Sequence, residues 1–130
     1  MFDWKKPTVQ MLGRWQPWHD GHTELFKRAL KKTGQVCIMY RDVEGVDAGV
    51  DGQADNPFGF KEVRIRAIEE LSKHGFNEGK DYIFIKVPNI IDISYGRGVG
   101  YTFTEHNLGE EIHKISATKI RKEMRSKKEL

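Results

Sequence analysis

The sequence of 130 residues contains a single cysteine, no long apolar run and little net charge. Because Cys37 has no second cysteine to pair with, a disulfide within the chain is impossible, which favours a reducing, cytoplasmic compartment. The thiol is expected to be a small core residue rather than a nucleophile. A run of about 18 apolar residues is absent, so neither a transmembrane helix nor a membrane partner is expected. The N-terminus is mixed and polar, and no signal-peptide core follows it.

The formal charge of +3, from 22 lysines and arginines against 19 aspartates and glutamates, is too small to indicate a nucleic-acid partner. The basic excess is concentrated in residues 119–128, which hold six lysines or arginines and one glutamate. A solvated helix face explains most of these charges. One or two of them are candidates for contact with a polyphosphate. The pattern Gly-x-x-x-x-Gly-Lys-Ser/Thr is absent, so a P-loop kinase is not supported.

Apolar periodicity predicts one domain, residues 1–130, in which strands and helices alternate. Strands are expected at 9–12, 36–40 and 82–87, and helices at 23–32, 60–74 and 116–127. Asp20 or Thr23 would cap the first helix, Gly34 would end it, and residues 90–93 would add a fourth strand. Strand, helix, strand at this spacing implies a right-handed crossover between parallel strands, so the predicted fold class is α/β with a parallel sheet. Residues 42–57 predict a long loop, which is a candidate for a functional or a mobile segment.

Two histidines stand just before the first predicted helix. His19 and His22 are three residues apart, with Gly21 between them. Imidazoles at a helix start can donate hydrogen bonds to phosphate oxygens, and the glycine lets a nucleotide approach the backbone. Phosphoryl transfer needs such positioning and charge stabilisation rather than a protein nucleophile. The alternative is an ordinary pair, one histidine capping the helix and one packed. A zinc site is a weaker rival.

The last predicted helix opens with a second candidate phosphate site. Ser116 and Thr118 place hydroxyl groups at its start, where backbone N–H groups are exposed. Arg121 lies one turn further in, where its planar guanidinium can reach the same anion. The alternative is a plain N-cap followed by a basic surface helix.

A glycine-rich segment, residues 95–101, precedes that helix. Its Gly-x-Gly-x-Gly spacing differs from the dinucleotide fingerprint. The segment is either a flexible turn or a backbone edge that contacts a nucleotide base. In the second case Tyr95, Gly96 and Arg97 would contact the nucleotide, with Arg97 near an anion.

Together, these residues resemble the nucleotidyltransferase superfamily with the His-x-Gly-His motif, which includes nicotinamide-nucleotide and pantetheine-phosphate adenylyltransferases and glycerol-3-phosphate cytidylyltransferase. The Gly-Arg-Phe-Gln-Pro-x-His-x-Gly-His form of the nicotinamide-nucleotide enzymes is similar, with Trp for Phe, to Gly13, Arg14, Trp15, Gln16, Pro17, His19, Gly21 and His22. The family's Ile-Ser-Ser/Thr-Thr-x-x-Arg resembles residues 115–121, in which Ala117 replaces the middle hydroxyl. An Asn-Pro-Phe segment that opens a helix in the same adenylyltransferases resembles Asn56, Pro57 and Phe58.

The resemblance implies a single Rossmann-like α/β/α domain of the adenine nucleotide alpha hydrolase-like, nucleotidylyl transferase type. It implies an enzyme that transfers a nucleoside monophosphate from ATP or CTP to a small phosphate-bearing acceptor and releases pyrophosphate. Mg²⁺ would be carried by the nucleotide phosphates, with no metal site on the protein. A homodimer is common in this family. The choice between ATP and CTP stays open.

The resemblance also assigns roles to residues. Catalysis would fall to His19, His22 and Arg121. The nucleotide would contact Gly13, Arg14, Trp15, Gln16, Gly21, Ser116 and Thr118, together with the glycine-rich segment, and the acceptor would contact Asn56, Pro57 and Phe58. Two rival functions remain: a regulatory module that binds a nucleotide without turnover, and a structural oligomerisation domain in which these residues are incidental.

Overall fold

The computed structural model describes residues 1–45, 56–98, 100–108 and 117–126, with the side chains of the last range from residue 120 onward. In chain order its elements are β1 Val9–Gly13, α1 Asp20–Thr33, β2 Val36–Arg41, α2 Phe60–Lys73, β3 Tyr82–Val87 and α3 Ala117–Ser126. The three strands form a parallel sheet in the order β1-β2-β3. The predicted α/β class with a parallel sheet is therefore confirmed. Within the described ranges, no helix is long and apolar enough to cross a membrane.

One face of this sheet carries the core. Val36, Ile38 and Tyr40 alternate along β2 and are fully buried, because successive side chains of a strand point to opposite faces. The parallel register places Ile38 between Met11 of β1 and Phe84 of β3. The three strands therefore bury the same face.

Both crossover helices pack on that buried face. Phe26 of α1 meets Tyr82 of β3 edge-on, with ring centroids 5.5 Å apart. Phe60 of α2 lies 5.6 Å from Tyr40 and 5.8 Å from Phe84. The α2 residues buried at four-residue spacing are Val63, Ala67 and Leu71. Since α1 and α2 share one side of the sheet, they do not supply the second helical layer of the predicted α/β/α arrangement.

The opposite face of the sheet is less covered. Cys37 and Met39 of β2, and Ile83 and Ile85 of β3, are only partly buried there. Burial raises the pKa of the Cys37 thiol above its ordinary value. The thiol therefore stays protonated near neutral pH, which favours packing over nucleophilic chemistry.

Helix α1 ends where the sequence predicts and begins differently. Gly34 ends it in the left-handed conformation, with φ of 82°, and its N–H donates to the carbonyl of Leu30 at 2.7 Å. The N-cap residue is His19. The prediction that Asp20 or Thr23 caps this helix is therefore wrong: Asp20 is its first residue, and the Thr23 hydroxyl accepts a hydrogen bond from a tryptophan.

The chain after β3 does not form the predicted fourth strand. The N–H of Ile90 donates to the carbonyl of Pro88 at 2.7 Å, which turns the chain, and Ile91 is 87% exposed. No strand is assigned to residues 90–93, so β1 is an edge of the described sheet. Two predicted features, Ser116 at the start of the last helix and most of the long loop (residues 46–55), lie outside the described residues.

Candidate active site

The candidate site forms at the carboxyl edge of the sheet. The register pairs Gly13, the last residue of β1, with Tyr40 near the end of β2. Segments that leave these two strands are therefore neighbours in space although they are distant in sequence. In open α/β sheets, this edge is where ligands bind.

A tight turn after β1 places the Trp15 indole over Gly13. Trp15 has a φ of 52°, in the left-handed region, and its indole N–H donates to the carbonyl of Met39 at 3.1 Å. A Cβ added at Gly13 would lie 2.7 Å from a carbon of the Trp15 ring, which is too close for two non-bonded carbons. The glycine is therefore required by the packing of this indole.

Two tryptophans enclose the ring of His22. The ring centroids of Trp15 and His22 are 4.8 Å apart with an edge-on geometry, and those of Trp18 and His22 are 5.4 Å apart. Trp18 is fully buried, and its indole N–H donates to the Thr23 hydroxyl at 2.9 Å. Trp18 was not predicted as a site residue, although a large aromatic residue inside the motif was a signal for it.

His19 and His22 cap the start of α1 reciprocally. The N–H of Gly21 donates to Nδ1 of His19 at 3.0 Å, and the N–H of His19 donates to Nδ1 of His22 at 3.1 Å. Nδ1 is bonded to Cγ, as is the side-chain oxygen of asparagine, a preferred capping residue. This equivalence explains why an imidazole caps the helix in place of the expected Asp20 or Thr23. His19 and His22 are called the histidine pair below.

The cap also fixes the protonation of the histidine pair. Because each Nδ1 accepts a backbone N–H, the proton of each neutral ring is on Nε2. Burial, and to a lesser extent His19, lower the pKa of His22 to about 3. Burial also lowers the pKa of His19; Asp20 opposes this shift and Arg66 adds to it. In the described part of the chain neither Nε2 has a hydrogen-bond partner, so both are available as neutral donors.

The two rings of the histidine pair stack face to face. Their centroids are 3.7 Å apart and their planes differ by 18°. Two positively charged rings at this distance would repel each other strongly, which agrees with a neutral pair. Paired N–H donors beside the partial positive charge of a helix start suit the stabilisation of negative charge on phosphate oxygens.

Gln16 joins the motif to the segment that precedes α2. Its Nε2 donates to the carbonyls of Phe58 at 2.8 Å and Arg14 at 3.2 Å, and its Oε1 accepts the N–H of Phe58 at 2.9 Å. The Tyr40 hydroxyl donates to the same Phe58 carbonyl at 3.1 Å. Burial raises the pKa of Tyr40 to about 12, with smaller contributions from nearby carboxylates, so the hydroxyl keeps its proton. Tyr40 was not predicted as a site residue, and its place near the end of a strand was the only signal for it.

Arg14 is anchored by the same segment. Its Nη1 donates to Oδ1 of Asn56 at 3.1 Å, and Asn56 is buried. The other N–H groups of this guanidinium have no hydrogen-bond partner in the part of the chain that the structure describes. One edge of Arg14 is therefore held in place while the rest can bind an anion. Pro57 lies between Asn56 and Phe58, so the predicted acceptor segment adjoins the predicted nucleotide motif.

Arg121 connects helix α3 to the loop between β1 and α1, which contains Gln16. The Arg121 side chain is 2% exposed, and its Nη1 donates to the backbone carbonyl of Gln16, 105 residues away in sequence. The two predicted motifs therefore meet in space. Thr118 lies in the first turn of α3, but its side chain, like the whole of Ser116, is outside the described residues.

The glycine-rich segment lies beside β1, away from the histidine pair. Tyr95, Gly96 and Arg97 line an open cavity of about 1400 Å³ between the free edge of β1 and residues 100–106. Tyr95 packs there on the ring of Phe103, with centroids 5.9 Å apart. The histidine pair does not line this cavity, but Trp15, whose ring packs on His22, does. A contact between this segment and a nucleotide stays a prediction.

No protein-family model matches the chain, and no curated protein matches it significantly.

Proposed function

We propose that this chain is a nucleotidyltransferase with a Rossmann-like domain, which transfers a nucleoside monophosphate from ATP or CTP to the phosphate of a small acceptor. One observation carries the proposal: Arg121 of α3 donates to the carbonyl of Gln16, in the loop that leads from β1 to the histidine pair. Each segment alone has an ordinary structural explanation. Their convergence at the carboxyl edge of a parallel sheet supports a shared phosphate ligand.

In the proposed reaction, an oxygen of the acceptor phosphate attacks the α-phosphorus of the nucleotide. The new P–O bond forms while the bond from the α-phosphorus to the oxygen that bridges to the β-phosphorus breaks. That oxygen keeps the electron pair and leaves as part of pyrophosphate. Negative charge accumulates on the oxygens around the α-phosphorus. The two Nε2–H groups of the histidine pair stabilise this charge as preorganised donors, without transferring a proton.

The remaining residues bind and orient the substrates. The guanidinium N–H groups of Arg14 that Asn56 does not use would bind the triphosphate, because a planar fork matches phosphate oxygens. Arg121 would hold the start of α3 beside them, where Ser116 and Thr118 are expected to contribute. Mg²⁺ would arrive with the nucleotide as part of that substrate. Among the described residues, no group of three or more ligating side chains could hold a metal ion.

Pyrophosphate release tests the proposal directly. The purified protein would be incubated with MgATP or MgCTP and, in turn, nicotinamide mononucleotide, phosphopantetheine and glycerol 3-phosphate. His22→Asn and His74→Ala would be compared with the wild type, since His74 is an exposed histidine at the end of α2. We expect release by the wild type and His74→Ala, and a loss of about 10²-fold or more in His22→Asn.

Two other results would contradict the proposal. Binding of a nucleotide with no release of pyrophosphate in the presence of any of these acceptors would favour the regulatory module. Failure to bind either nucleotide would favour a structural domain.

A further inference from the structure

The side-chain amide of Gln16 is fully occupied inside the protein. An amide has two N–H donors, and those of Gln16 go to the carbonyls of Phe58 and Arg14. Its oxygen accepts the N–H of Phe58, and the residue is 2% exposed. The side chain therefore has no donor left for a nucleotide, although it belongs to the motif predicted to bind one.

The three hydrogen bonds of this amide hold two backbone segments, that of Arg14 and that of Phe58. One ends on the carbonyl of Arg14 itself, and the other two hold the backbone of Phe58. Phe58 is two residues from Asn56, whose side-chain oxygen anchors the Arg14 guanidinium. Gln16 thus fixes both the backbone of Arg14 and the segment that holds its side chain.

We propose that Gln16 is a positioning residue for Arg14, which it holds ready to bind the triphosphate. The inference rests on the proposed function, because it assumes that Arg14 binds a nucleotide. Binding is tighter when the side chain that makes the contact is already ordered, since less conformational entropy is lost. Gln16 then acts on affinity through Arg14 rather than by touching the ligand.

The chain contains a matched control for this amide. Gln35, just before β2, is also buried, and its amide holds the backbone of Asp3 by the same two bonds: Oε1 accepts the Asp3 N–H at 3.0 Å and Nε2 donates to its carbonyl at 2.7 Å. Gln35 lies at the amino edge of the sheet, opposite the candidate site. The Gln35 amide also donates to the Thr8 hydroxyl at 2.7 Å, so Gln35→Met and Gln16→Met each remove a buried amide that makes at least three hydrogen bonds.

Calorimetric titration with MgATP and with MgCTP tests the inference. We expect Gln16→Met to weaken nucleotide binding about three- to tenfold, as when one side chain must be ordered on binding. Gln35→Met should lower the thermal midpoint similarly but leave affinity unchanged. In an Arg14→Ala background, Gln16→Met should cause no further loss, because its effect passes through Arg14.

The inference is overturned if Gln16→Met binds like Gln35→Met, or if its loss is equally large in the Arg14→Ala background. If Gln16→Met does not fold, Gln16→Glu replaces it: the carboxylate still accepts the Phe58 N–H but lacks both donors, and the same two criteria apply. A wild type that binds neither nucleotide overturns the proposed function as well. If the wild type binds a nucleotide and Gln16→Met binds it with the same affinity, only this inference is overturned.

Discussion

The backbone N–H of His19 donates to Nδ1 of His22 while the two imidazole rings stack 3.7 Å apart. One bond therefore satisfies a donor at the helix start and sets the tautomer of a ring in the site. Nδ1 serves the fold, and Nε2 is left for a ligand. The structural and chemical roles of this residue can consequently be separated by mutation.

Asparagine at position 22 should separate them. Its Oδ1 can replace Nδ1 as acceptor of the His19 N–H, but it has no counterpart of Nε2. We expect His22→Asn to lower kcat by about 10²-fold or more and to change nucleotide affinity little, because the donor acts on charge that develops in the transition state. His19→Asn should behave alike. Steady-state kinetics and calorimetry measure both quantities, and an unchanged kcat would make the pair purely structural.

Stability should fall when the solution is acidified below the ordinary histidine pKa of about 6.5. The folded pKa of His22 is about 3, so between these values the unfolded chain binds a proton that the folded chain does not. The free energy of unfolding therefore rises with pH across this window, by up to about 1.4 kcal/mol per pH unit. It falls by the same amount when the solution is acidified.

Urea unfolding between about pH 7 and pH 5, above the carboxylate pKa values, measures this slope. His22→Asn cannot titrate at that position, so its slope should be smaller than that of the wild type. His19, whose pKa is also lowered, would supply the remainder. Equal slopes in the two proteins would mean that His22 titrates normally in the folded chain.

Arg121 should matter more than its neighbours on the same helix. We expect Arg121→Ala to weaken nucleotide binding, because it removes the bond to the Gln16 carbonyl that holds α3 at the site; the expected loss is roughly 1.5–3 kcal/mol, the range for a hydrogen bond to a charged group. Arg121→Lys should remain impaired, because lysine keeps the charge but not the planar fork. Lys122→Ala removes an exposed charge from the next position and should bind like the wild type. Equal calorimetric affinities for the wild type, the two Arg121 variants and Lys122→Ala would show that α3 does not contribute to nucleotide binding.

Two glycines should respond differently to alanine. Gly13→Ala would place a methyl group 2.7 Å from the Trp15 ring, whereas a Cβ at Gly96 meets no atom within 4 Å. We expect Gly13→Ala to lower the free energy of unfolding by roughly 1–3 kcal/mol, as for an overpacked core. Gly96→Ala should stay within about 0.5 kcal/mol. Denaturant unfolding compares them, and similar small changes would show that the indole moves aside at little cost.

The sequence predicted those helices and strands that bury one face, because burial of one face leaves a periodic apolar pattern. Strand Tyr82–Val87 and helices Asp20–Thr33 and Phe60–Lys73 carry apolar residues at the period of their structure, because each buries one face. Residues 90–93 also include three isoleucines, but an apolar pattern does not specify which strand a segment pairs with. The turn at Pro88 directs this segment away from the sheet. Apolar pattern indicates burial, whereas pairing depends on the path of the chain.

The site could be predicted as a set of residues but not as a set of contacts. The motifs indicated the histidine pair, Arg121 and the Asn56 segment, and the structure brings them to one edge of the sheet. The imidazole cap, the packing of Trp18 and the anchoring of Phe58 by Tyr40 could not be foreseen. Each depends on a backbone conformation or a tautomer, such as the positive φ of Trp15, that residue type alone does not specify.

The two indoles around His22 give the protein an intrinsic optical reporter. The chain has three tryptophans, and the third, Trp4, is 76% exposed on the N-terminal segment. In a Trp4→Phe variant, all indole emission would come from Trp15 and Trp18, both in ring contact with His22. Since indole fluorescence responds to the polarity and charge of its surroundings, a ligand that engages the imidazole would change the emission. The rates of ligand binding and dissociation could then be measured by stopped-flow fluorescence without an added label.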